Sequence, residues 1–90
     1  MATISTRDGY KYVRLAEIPM NDGKFKFNGR EYDLDADFEP IGYPEFYDDE
    51  DGKLRFLSYV EREEWRNPLM LEVGEYMDEV IIYREENEND

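Results

Sequence analysis

The chain has neither cysteine nor histidine among its 90 residues. Without thiols there is no disulfide framework and no thiolate chemistry, and the redox compartment is left open. Without imidazole, the usual zinc ligands, the Cys and His nucleophile-base pairs and the common general base near neutral pH are all missing. Hydroxyl nucleophiles are scarce as well: Thr3, Ser5, Thr6 and Ser58 make up the whole Ser/Thr set, and none has a histidine to activate it. No run approaches the roughly 18 apolar residues that a membrane span needs. The start from Met1 to Tyr10 is polar, with Arg7 and Asp8, and lacks the apolar centre of a secretory signal. These absences lead to the expectation of a soluble, cytoplasmic, non-enzymatic protein with no catalytic residue, no cofactor and no metal.

Carboxylates are abundant. The formal net charge is −13 and is unevenly spread. Residues 1 to 30 hold six basic and three acidic side chains, a balance of +3, whereas residues 31 to 90 hold five basic and twenty-one acidic, a balance of −16. Such a field repels nucleic acid and anionic membrane and attracts basic protein surfaces. Direct nucleic-acid or membrane binding is therefore not expected. Disorder is not expected either, because eight Tyr, five Phe and one Trp supply large apolar area to a short chain. Ninety residues suit one domain spanning 1–90, with a frayed acidic tail at 85–90.

Glu31, Asp33, Asp35, Asp37 and Glu39 alternate with Tyr32, Leu34, Ala36 and Phe38. An extended chain would place the acids on one face at intervals of about 6.6 Å. Neighbours in that row lie within the Debye length of about 8 Å, so their repulsion is only partly screened and calls for compensation by a basic partner, a cation or salt.

Turn signals divide the rest. Tyr10 to Ile18 reads as a strand that stops at Pro19, with a turn through Asn21, Asp22 and Gly23. Lys24–Phe27 and Arg30–Leu34 flank Asn28-Gly29, the pair that favours a type I′ hairpin turn. In that register Lys26 faces Glu31 and Lys24 faces Asp33, leaving Asp35, Asp37 and Glu39 without partners, while Phe25, Phe27, Tyr32 and Leu34 share the other face. Residues 46–49 and 53–57 suggest a second hairpin, and 69–73 with 79–84 two more strands. Ser58 and Glu61 match a capping box, with Asn67-Pro68 as a stop, so a short helix over 59–66 competes with an extended reading of 54–60. The expected fold is mostly β: a small antiparallel sheet of five or six strands built from hairpins, with one short helix at most.

Asp33, Asp35 and Asp37 repeat the spacing that opens an EF-hand loop, but its sixth position is Phe38 in place of Gly and its twelfth is Pro44 in place of Glu, so no metal site follows. Asp48, Asp49, Glu50 and Asp51 form a second acidic block at a hairpin tip, which reads either as a solvated turn that discourages edge pairing or, together with the 31–39 row and Glu61, Glu63 and Glu64, as part of one negative surface. Trp65 suits either the core or an interface. DNA carries a phosphate about every 3.4 Å per strand, so strand-spaced carboxylates imitate its charge envelope coarsely. The functional expectation is an acidic inhibitor that occupies the basic surface of a nucleic-acid-binding protein, of the viral anti-CRISPR or anti-restriction type, acting in the host cytoplasm. Its partner-binding residues would be Glu31, Asp33, Asp35, Asp37, Glu39, Asp48, Asp49, Glu50 and Asp51. The alternative is an immunity or antitoxin-like protein that neutralises a basic toxin.

Overall fold

The computed structural model describes residues 3–5, 11–41, 45–48, 52–64 and 66–85, with the backbone alone at 3–5 and 45–48. In chain order the elements are β1 (Thr3–Ser5), β2 (Lys11–Pro19), β3 (Lys24–Phe27), β4 (Arg30–Asp33), α1 (Leu34–Asp37), β5 (Phe38–Pro40), β6 (Glu45–Asp48), β7 (Leu54–Phe56), β8 (Tyr59–Glu61), β9 (Leu69–Val73) and β10 (Glu79–Glu85). The protein is mostly antiparallel β with one short helix. The main sheet runs β5-β8-β9-β10-β2 and continues through β1, β6 and β7, while β3 and β4 form a separate two-stranded hairpin.

The connections require this sheet to roll. Strands β7 and β8 stand eighth and second in the order, six strand spacings or about 29 Å apart in a flat sheet. Only Leu57 and Ser58 join them, and three extended residue steps span about 10 Å. The far end must therefore curl back over the near end, and Arg55 of β7 does reach Glu72 of β9, its Nη1 lying 3.7 Å from Oε2.

Rolling covers both faces of the central β9–β10 pair. Leu69, Leu71, Val80 and Ile82 point to one side, where Phe25, Tyr32, Leu34 and Phe38 close the core. Met70 and Tyr83 point to the other side and meet Leu57. Hence Leu69-Met70-Leu71 is a continuous buried run, as expected of a strand enclosed on both faces. Ala16 pairs with Ile82 and Arg14 with Tyr83, so β2 carries one extra residue at Leu15, which bulges outward and is exposed.

The Asn28-Gly29 hairpin has the expected register: Lys24 opposite Asp33, Phe25 opposite Tyr32, Lys26 opposite Glu31 and Phe27 opposite Arg30. Asn28 and Gly29 have φ of 53° and 79°, the double positive value a type I′ turn demands. The hairpin predicted around Glu50 to Gly52 is formed by β6 and β7, its tip at 49–51 lying outside the described residues. Trp65 and the tail at 86–90 also lie outside them.

Two local expectations are corrected. No helix covers 59–66 within the described residues. Tyr59 and Val60 pair with Leu71 and Met70, the Ser58 N–H that a capping box would engage donates to the Leu71 carbonyl, and the Glu61 carboxylate accepts from the Leu69 N–H at 3.1 Å. The helix lies at 34–37 instead, inside the predicted extended row. One turn there shortens the path from Leu34 to Phe38 to about 6 Å, against about 13 Å when extended. Phe38 thereby comes 5.8 Å from the ring of Phe25 and 5.6 Å from that of Tyr32, while Ala36, predicted to share the apolar face, turns out to solvent.

Candidate functional site

The 31–39 segment is a strand, a helical turn and a second strand, so its acids do not form an evenly spaced row. Within α1 the side-chain period changes from 2 to 3.6, which brings Asp33 and Asp37 together and turns Asp35 away from them. Asp33 caps the turn: its Oδ1 accepts from the N–H groups of Asp35 at 3.0 Å and Ala36 at 3.3 Å. Asp37 answers by accepting the Asp33 N–H on Oδ2 at 2.8 Å. Its Oδ1 lies 3.8 Å from Nη2 of Arg30, whose guanidinium sits 4.5 Å from the ring centre of Tyr32. The expectation that Asp37 lacks a basic neighbour is therefore overturned. The sequence reading missed Arg30 because a contact seven residues away carries no local signal.

Strand β5 lies at the edge of the sheet against β8, placing Phe38 opposite Glu61 and Glu39 opposite Val60. The chain leaving β8 bends at once, with Glu63 at φ 65°. Arg62 holds this bend to α1 and β5: its N–H donates to the Asp37 carbonyl at 2.7 Å and its Nε to the Phe38 carbonyl at 2.8 Å. A groove of about 200 Å³ results, lined by Asp37, Glu61, Glu63 and Glu64 with Arg30 and Arg62. A more open depression along the same bend adds Glu39. Together the two concavities hold five carboxylates and two guanidiniums, and each guanidinium is engaged within the fold.

The carboxylates divide by role. Asp33, Asp37 and Glu61 are half-buried and accept backbone N–H groups, and Glu64 accepts the Arg66 N–H at 3.2 Å. Glu31, Asp35, Glu39 and Glu63 are exposed; Glu31 stands opposite Lys26 across the hairpin, while Asp35, Glu39 and Glu63 make no ion pair among the described residues. Of the 31–39 and 61–64 acids, Asp37, Glu39, Glu61, Glu63 and Glu64 line the two concavities, and Glu31, Asp33 and Asp35 do not. Asp48 ends β6, seventh in the strand order. Asp49, Glu50 and Asp51 lie outside the described residues.

Among the described residues, no group of three or more acidic side chains is arranged to hold a metal ion, and no helix is long and apolar enough to cross a membrane. Buried titratable chemistry lies elsewhere. Tyr83 is fully enclosed, its hydroxyl donates to Glu72 Oε1 at 3.1 Å, and burial, helped by the Glu72 charge, pushes its pKa up to about 12. No family model, curated protein or solved structure matches this chain at a significant level.

Proposed function

We propose that this protein is a non-enzymatic acidic inhibitor, a coarse mimic of nucleic-acid charge that covers the basic nucleic-acid-binding surface of a partner protein, in the manner of viral anti-CRISPR or anti-restriction proteins in the host cytoplasm. The observation that supports this reading is the gathering of Asp37, Glu39, Glu61, Glu63 and Glu64 around the concavities beside α1, β5 and the bend after β8, with Glu39 and Glu63 exposed, on a backbone held by Asp33, Asp37 and Arg62. Exposed charge on a fixed frame meets a basic surface with little ordering cost, and its long-range field speeds encounter. The mimicry is of charge density, since the helical turn removes the regular spacing of an extended row.

Pull-down from a lysate followed by competition with DNA or RNA tests this. The captured partner should be released by nucleic acid. Changing Asp35 to Asn with Glu39 and Glu63 to Gln should slow association, and added salt should weaken the unaltered protein more than the variant. A partner bound equally well in saturating nucleic acid would favour the toxin-neutralising alternative.

A further inference from the structure

The turn between β9 and β10 lies at the far end of the sheet from this acidic edge. Glu61 extends the β8–β9 pairing toward Leu69, whereas the turn follows Val73, about 17 Å further along. At its tip Tyr76 is 82% exposed, the most exposed large apolar side chain among the described residues, and Met77 beside it is 50% exposed. Neither projects from a loose loop. The Met77 N–H donates to the Gly74 carbonyl at 2.9 Å, the Gly74 N–H to the Glu79 carbonyl at 3.0 Å, and the Met20 N–H to the Asp78 carbonyl at 2.9 Å. Met77 has φ 55°, a left-handed conformation that costs an L-residue energy and is held here by the surrounding bonds.

An open depression beside the tip is lined by Glu17, Ile18, Pro19, Asp78 and Glu79. The nearby Glu17 carboxylate raises the pKa of Glu79 through its charge and a side-chain hydrogen bond, with smaller contributions from desolvation, Asp78 and Glu72. An exposed aromatic on a rigid turn next to an acidic recess is complementary to one kind of surface. We propose that this turn is a second protein-docking point, with Tyr76 entering an apolar pocket of the partner and the recess of Glu17, Asp78 and Glu79 receiving a lysine or arginine from that pocket's rim. Tyrosine suits the anchoring role because it buries a large ring at small entropic cost.

The test is a ¹⁵N NMR titration of the full chain with two synthetic probes of equal charge, a capped peptide of alternating Leu and Lys and an oligolysine. The Leu/Lys peptide should shift amides at 74–79 and 17–20 and bind there about tenfold more tightly than oligolysine, the margin expected from one anchoring side chain. Tyr76→Ser should remove that margin, and Tyr76→Phe should keep it. Equal binding of both probes, or shifts confined to 35–39 and 61–64, would overturn the proposal while leaving the acidic-edge reading intact. So would shifts at the turn produced by phosphatidylcholine vesicles instead of the peptide, which would make it a membrane contact.

Discussion

The Asp37 carboxylate accepts the backbone N–H of Asp33 at 2.8 Å, while Asp33 caps the turn that leads to Asp37. Two acids expected to face a partner thus serve the fold. Asp33→Ala should lower stability by about 1 kcal/mol, the usual cost of an N-cap. Asp35→Ala, two residues on and exposed, should stay within about 0.5 kcal/mol of the unaltered protein. Chemical denaturation of both variants measures the contrast, and equal losses would contradict the division of roles.

Gly29 holds φ 79° in the hairpin turn, and a Cβ added there would meet nothing within 4 Å. The penalty for a branched residue is therefore conformational and not steric crowding by neighbours. Gly29→Val should cost about 1 kcal/mol or more, read as a lower urea midpoint at unchanged slope.

Tyr83 ionises near 10 when unfolded and near 12 in the folded protein, because burial disfavours the phenolate. Between those values the unfolded chain holds fewer protons than the folded one, so stability falls as pH rises. The contribution is complete below pH 10 and is lost as the pH climbs through about 12. Melting temperatures measured from pH 8 upward should fall less steeply in Tyr83→Phe, which should also lose about 1 kcal/mol at neutral pH with the hydrogen bond to Glu72.

Net charge predicts a response to salt. Raising monovalent salt from about 0.01 M to 0.15 M shortens the Debye length from about 30 Å to 8 Å, so repulsion among exposed acids such as Asp35, Glu39 and Glu63 should weaken and the melting temperature should rise. Micromolar calcium at matched ionic strength should add nothing further. A calcium-specific rise would point to a cation site in place of a protein-facing edge.

Local signals sufficed for much of this architecture. Asn28-Gly29 set both the turn and the pairing register, because a two-residue type I′ loop admits only one alignment of its strands. The strand expected at 10–18 and found at 11–19, the strand at 69–73 and the acidity after residue 30 were equally legible, since propensity, alternation and charge are properties of neighbours in sequence. Tertiary structure decided the remainder. An alternating pattern at 31–39 favours extension, yet a helical turn forms there because it delivers Phe38 to the rings of Phe25 and Tyr32, and because Asp33 and Asp37 satisfy its ends. Ser58 and Glu61 carry a helix-start pattern, yet both serve the β8–β9 pairing once Leu71 lies alongside. The pairing of Arg30 with Asp37 and the anchoring of Arg62 on Phe38 depend on contacts 7 and 24 residues apart. Such contacts exist only once the helical turn has formed and β5 lies beside β8, which is why composition shows that the protein is acidic and only the fold shows which carboxylates face outward.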